Sequence, residues 1–210
     1  EADGSWFGRW GVNHIYGLGA ALPAFAAIGE DMNQEYVRRG VEWLVSCQNA
    51  DGGWGESCGS YVDPALRGVG PSTASQTAWA LLALLAADEV HHFAVQAGLD
   101  YLTRTQLDDG SWDEPYFTGT GFPGYGIGQR ISDLGTENGD RHLSHELPAG
   151  FMINYHMYRN CWPLMALGRC RKLLTADPRP PSVSENDASG NGREPASIRE
   201  APALHRLSKS

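Results

Sequence analysis

The sequence predicts an all-α chain made of repeated helix pairs, and three observations carry that prediction. Gln48-Asn-Ala-Asp-Gly-Gly-Trp54 and Gln106-Leu-Asp-Asp-Gly-Ser-Trp112 are near copies, and Asp3-Gly-Ser-Trp6 is a third, partial copy. Self-similarity at a spacing of roughly 50 to 60 residues marks supersecondary units that stack because none buries its apolar face alone. The segment before each full copy has helical periodicity with one polar face. The segment after each tryptophan is almost wholly apolar, and a helix apolar all round is buried all round.

Taken in order, the chain opens on Asp3-Gly-Ser-Trp6, a repeat turn without its preceding glutamine and helix, which reads as a cut rather than a natural start. Ile15 to Ala27 forms the first buried helix. Tyr36 to Cys47 is amphipathic, with apolar residues at 37, 41, 44 and 45, the helical spacing i, i+4, i+7, i+8. The Asp-Gly step then makes a turn, since glycine takes positive φ freely and aspartate bonds its own backbone. In that turn the Gln48 amide is expected to bond free backbone groups at a helix terminus while the Trp54 indole packs over it. Gln106 and Trp112 should repeat the arrangement.

Glu56 to Pro71 is too rich in Gly and Pro for a helix. Ser72 or Thr73 caps the buried helix Thr73 to Ala87. His91-His92 points two ways on any helix and reads as solvated loop rather than metal site. Ala94 to Thr105 carries a second amphipathic stripe at Val95, Leu99 and Leu102. Asp108-Asp109 and Asp113 miss by one residue the magnesium-binding Asp-Asp-x-x-Asp spacing and belong to the turn. Glu114 to Gly150 is long and irregular, and loops of that length are usually functional or mobile. Within it, residues 125–150 form a polar surface insertion bearing Asp133, Glu137, Asp140, Arg141, His142 and Glu146. Met157 to Leu174 is a third buried helix. Residues 1–174 thus form one domain, and residues 175–210, rich in Pro, Ser, Asn and Gly, form a disordered tail.

A chain of 210 residues is long enough for one domain with a real core. Its net charge of −9 and pI near 5.2 argue against nucleic acid, whose phosphates demand a basic face. Cys47, Cys58, Cys161 and Cys170 have no Cys-x-x-Cys spacing, so they read as free thiols in a reducing compartment rather than zinc ligands. No stretch reaches the roughly 18 apolar residues of a membrane-spanning helix.

The Gln-x-x-x-Gly-x-Trp turns, joining helices of two kinds, resemble the QW motifs of the triterpene cyclases. Four further stretches resemble the carboxy-terminal part of the squalene-hopene cyclases: Asp3 to Tyr16, Ser75-Gln-Thr-Ala-Trp-Ala-Leu81, Thr118-Gly-Thr-Gly-Phe-Pro-Gly124 and Phe151-Met-Ile-Asn-Tyr-His-Met-Tyr-Arg159. The resemblance covers about residues 3 to 174 and implies an α/α toroid of inner and outer helix rings, incomplete in this chain. It implies that squalene is protonated at a terminal double bond, closes its rings in sequence and leaves as hopene or hopanol, with no metal or organic cofactor. It also implies a peripheral, monotopic enzyme on the cytoplasmic side of a bacterial membrane, drawing squalene from the bilayer, with a homodimer possible for the full-length form.

From the residues alone, Trp10 and Tyr16 fit core packing or a cavity wall equally well. The resemblance assigns Trp10 to the reaction cavity and Tyr16 to the hydrogen-bonded group that supports the catalytic acid. Tyr155, Tyr158 and Trp162 follow helical spacing and could be a core stripe. The resemblance instead has Phe122, Phe151, Ile153, Tyr155 and Tyr158 line or support the cavity. Aromatic faces attract cations by about 0.5 to 2 kcal/mol each without reacting with them. The family's acid is an Asp-x-Asp-Asp motif, and no aspartate of this chain has that spacing. The expectation is a segment of a cyclase that is inactive alone. Competing expectations are a truncated toroid homologue that needs a partner chain, an aromatic carbohydrate-binding module, and the zinc-using β subunit of a protein prenyltransferase.

Overall fold

The computed structural model describes residues 1–61, 63–114, 118–121, 151–153 and 155–176. Phe122, the polar insertion at 125–150 and all but two residues of the expected tail lie outside them. Among the described residues five α-helices form: α1 (His14–Ala27), α2 (Glu35–Ser46), α3 (Ala74–Ala86), α4 (Phe93–Thr105) and α5 (Tyr158–Ala176). Their bounds fall within a residue or two of the expected ones, and α5 runs on through Thr175 and Ala176.

The helices form two layers. α3 packs between α1 and α5, while α2 lies over α1 and α3, and α4 over α3. The inner row is therefore α1, α3 and α5, and the outer row α2 and α4. Each outer helix turns its stripe inward: Val37, Val41 and Leu44 of α2 are buried, as are Val95, Tyr101 and Leu102 of α4.

Burial on all sides, expected of every inner helix, holds for α3 alone, whose residues are all buried. α1 buries His14, Ile15, Gly17, Leu18 and Leu22 but exposes Ala20, Ala24 and Ala27. α5 buries only Pro163, Ala166 and Cys170 and leaves Leu164 and Met165 exposed. The physical reason is position: α3 has inner neighbours on both sides, and α1 and α5 each have one among the described residues.

The repeat turns are alike in detail. Asp3, Asp51 and Asp109 each accept the backbone N–H two residues on, at 2.9 Å. Gly4, Gly52 and Gly110 take φ of 94°, 87° and 83°. The division of labour between glutamine and tryptophan, however, differs from the expected one. The amides of Gln48 and Gln106 reach across their own turns to the carbonyls of Gly52 and Gly110, at 2.8 and 2.9 Å. Gln48 also donates to the Ala94 carbonyl in the first turn of α4. It is the indoles that cap the outer helices. Trp54 Nε1 donates to the Leu44 carbonyl at 2.7 Å and Trp112 Nε1 to the Leu102 carbonyl at 2.8 Å, in the last turns of α2 and α4. A buried indole of about 200 Å² contributes on the order of 5 kcal/mol as an upper bound, so each tryptophan is both core and cap.

Among the described residues, one short two-stranded ribbon accompanies the helices. β1 (Gly119–Gly121) pairs antiparallel with β2 (Phe151–Ile153), Gly119 opposite Ile153 and Gly121 opposite Phe151. Gly119 also bridges to Gly11, and Val12 N–H donates to the Thr118 carbonyl. The ribbon thereby ties the segment before α5 to the segment before α1. With three residues a strand, it leaves the fold all-α.

The two full turns differ in one testable respect. A Cβ on Gly52 would lie 2.4 Å from the Ala97 carbonyl oxygen, whereas one on Gly110 would meet nothing closer than Gln106 Nε2 at 3.9 Å. Gly110→Ala is expected to cost about 1 kcal/mol of left-handed strain. Gly52→Ala should cost at least about 1 kcal/mol more, because backbone must also move. Denaturant unfolding of the two variants checks this, and equal losses would contradict it.

Candidate active site

Six aromatic side chains from three inner helices and two connecting segments meet in one cluster. Trp79 of α3 is its hub. The Tyr16 ring of α1 stands edge-on to Trp79 at 5.0 Å, and Tyr158 and Trp162 of α5 meet it edge-on at 5.8 and 6.0 Å. Tyr155 stacks on Tyr158 at 4.6 Å, and Trp10 lies 6.1 Å from Tyr155. Edge-to-face and offset-stacked pairs are the preferred aromatic geometries. Trp79 is 1% exposed and Trp10 37%, so the cluster runs from the core outward to an open ring.

Of the residues expected at a cavity, Trp10, Tyr16, Tyr155 and Tyr158 are brought together. Phe151 and Ile153 occupy β2, and their side chains lie outside the described residues, as does Phe122 altogether. Gln48, Trp54, Gln106 and Trp112 stay in the repeat turns. Trp79 was not among the expected site residues, although it is the one aromatic of α3. Close packing sets the Tyr16 ring: a Cβ on Gly11 would lie 2.5 Å from that ring and 2.9 Å from Trp79, so only glycine fits there. Burial pushes the phenols of Tyr16 and Tyr158 above the usual tyrosine range, a hydrogen bond with Trp10 partly offsetting the rise at Tyr158. Both stay protonated at neutral pH.

At the N-terminal ends of α1 and α3 lies a buried polar layer. Glu56 Oε2 accepts the N–H groups of Asn13 and Ile15 at 3.1 and 3.0 Å, and Oε1 pairs with His14 Nδ1 at 2.8 Å. Glu114 Oε2 accepts Ser75 N–H at 3.0 Å, and its Oε1 takes the hydroxyls of Ser75 and Thr118 at 2.7 and 2.8 Å. Gln76 joins the two halves, donating to the Val12 and Glu56 carbonyls at 3.1 Å while its Oε1 accepts Glu56 N–H. Thr73 caps α3 through Gln76 N–H, and His92, expected as solvated loop, caps α4 through Ala94 N–H.

The squalene-hopene cyclase C-terminal domain family matches residues 1–132 of this chain. The chain belongs to that family. It is 45% identical over 178 residues to a probable squalene-hopene cyclase of Sinorhizobium fredii, covering 84% of this chain and 24% of that protein. Against the squalene-hopene cyclase of Alicyclobacillus acidocaldarius, identity is 46% over 174 residues, 83% of this chain and 24% of the relative. Dammaradiene synthase of Dryopteris crassirhizoma is 42% identical over 197 residues, 87% of this chain and 25% of that protein. The chain thus spans about a quarter of the length of these curated relatives.

In this family of helical toroids, the two layers correspond to an inner and an outer row of helices. Among the described residues no three His, Cys, Asp or Glu side chains converge as metal ligands, and no helix is long and apolar enough to cross a membrane.

Burial pushes the Glu114 carboxyl above the usual glutamate range, against the hydrogen bonds from Ser75 and Thr118 that pull it down. The folded state therefore holds this proton more tightly than the unfolded state does. The resulting stability is full below the ordinary glutamate value and is lost as pH rises through the raised one. Glu114→Gln should flatten that slope, measured as the denaturant midpoint from pH 4 to 7. An unchanged slope would mean that Glu114 does not carry it.

Proposed function

We propose that this chain supplies one aromatic wall of a squalene-cyclising cavity within a longer squalene-hopene cyclase. The observation that carries the reading is the continuous cluster from Trp10 through Tyr155 and Tyr158 to Trp79 and Tyr16. Ring closure initiated by a proton moves positive charge along the substrate. A wall for that charge must stabilise it without attacking it or taking its proton. Indole and phenol faces do so, at about 0.5 to 2 kcal/mol each and more where water is excluded. A carboxylate or amine in the same place would quench the cation.

The proton enters at a terminal double bond of squalene, the cation advances as each ring closes, and proton loss or water addition ends the sequence as hopene or hopanol. In this chain Tyr16, a half-buried, protonated phenol, fits the support of the acid. The Asp-x-Asp-Asp acid itself is absent from these residues, so protonation requires the remainder of a longer polypeptide. Trp10, Tyr155 and Tyr158 line or support the path of the cation. The enzyme sits peripherally on the cytoplasmic side of a bacterial membrane, where it draws squalene from the bilayer.

The test uses the polypeptide that carries this sequence at its full native length, incubated with squalene and assayed by gas chromatography and mass spectrometry. Pentacyclic product is expected from it and none from the 210 residues alone. Trp10→Leu should slow turnover by up to about 30-fold, or release products with fewer rings. Absence of cyclic product from the full-length polypeptide, or its formation by the isolated chain, would refute the reading.

A further inference from the structure

The repeat is longer than the stretch from glutamine to tryptophan. Two residues beyond each full-copy tryptophan stands a buried glutamate, in Trp54-Gly-Glu56 and Trp112-Asp-Glu114. Each reaches back to the inner helix that precedes its turn, and each takes the same amide. Ile15 and Ser75 are the second residues of α1 and α3, and their N–H groups meet the two carboxylates at the same distance, 3.0 Å. First-turn amides have no partner within their own helix, and the helix N-terminus carries partial positive charge. Here water is excluded, since Glu56 is 6% and Glu114 7% exposed, so these two side chains are the acceptors available.

The held turns bear on the aromatic cluster. Tyr16 follows Ile15 directly, and Trp79 stands one turn beyond Ser75 on α3. The two rings meet at 5.0 Å. Through Gln76, which bonds both the Glu56 backbone and the Val12 carbonyl, the latches of α1 and α3 are also joined to one another.

We propose that Glu56 and Glu114 are positioning residues: each latches the first turn of the inner helix upstream, and together they set Tyr16 against Trp79. Their importance for turnover rests on the cyclase reading above, and the latch itself does not. The carboxylates act as acceptors, so an amide of the same shape should serve: Glu56→Gln and Glu114→Gln would each keep one oxygen on the helix N–H. A thioether of similar length cannot accept comparably.

The experiment is amide hydrogen exchange on the full-length polypeptide, unmodified and as the variants Glu56→Met, Glu114→Met, Glu56→Gln and Glu114→Gln. In the unmodified protein the Ile15 and Ser75 amides should be protected although they lie in first turns. Glu56→Met should speed exchange at Asn13 and Ile15 by about tenfold or more, and Glu114→Met at Ser75, each leaving α2 unchanged. The glutamine variants should restore protection. Unprotected amides in the native protein, uniform loss of protection across all helices, or no rescue by glutamine would each overturn the latch. The measurements on the native protein and the glutamine variants decide the matter even where a methionine variant does not fold. In parallel, each methionine variant should lower kcat for squalene with KM little changed. If the unmodified polypeptide does not cyclise squalene, the function fails while the exchange pattern still decides the latch.

Discussion

Stacked helices lose water at their ends, and the rest of this structure depends on how the chain replaces it. A helix leaves four N–H groups and four carbonyls without internal partners, and each buried polar group left unmet costs about 1 to 3 kcal/mol. The chain answers with one repeated device. The tryptophan indole bonds a carbonyl near the end of the outer helix just completed. Two residues later a glutamate bonds an amide at the start of the inner helix before that. A single short turn thus ties together the C-terminus of one layer and the N-terminus of the other.

That device explains why the aromatic cluster can be held with little freedom. Its members come from α1, α3, α5 and the segments before α1 and α5, which are far apart in sequence. Packing through α3 brings the helices side by side, and the polar layer ties the N-terminal ends of α1 and α3 to each other. The ribbon formed by Gly119–Gly121 and Phe151–Ile153 adds a second tie, joining the segment before α5 to the segment before α1. Hydrophobic contact alone is non-directional and would allow helices to slide. Hydrogen bonds at their ends do not.

Much of this was legible in the sequence. The periodicity of residues 37, 41, 44 and 45 marked an outer helix, and the unbroken apolar run after Thr73 marked the one inner helix that is buried on every side. Less legible was what depends on neighbours. The apolar character of α1 and α5 does not reveal that each has one inner partner among the described residues. The hydrogen bond from each indole to its outer helix was not foreseen, because a turn motif names its side chains without aiming them. Glu56 and Glu114 carried a readable signal, the same eight-residue step from Gln48 and Gln106. A glutamate beside glycine or aspartate ordinarily reads as solvated, and only burial discloses an acceptor. Trp79 was visible as the one ring in an aliphatic helix, but its centrality needed the packing of α1 and α5 around it.

The central claim is that this aromatic surface serves positive charge rather than apolar bulk. It is tested most directly by comparing, on the full-length polypeptide, the affinity of an ammonium analogue of a cyclisation cation with that of its neutral carbon isostere. The account predicts that the ammonium compound binds more tightly and that Trp10→Leu reduces the difference. Equal affinity for the two compounds, with no effect of Trp10→Leu, would contradict it.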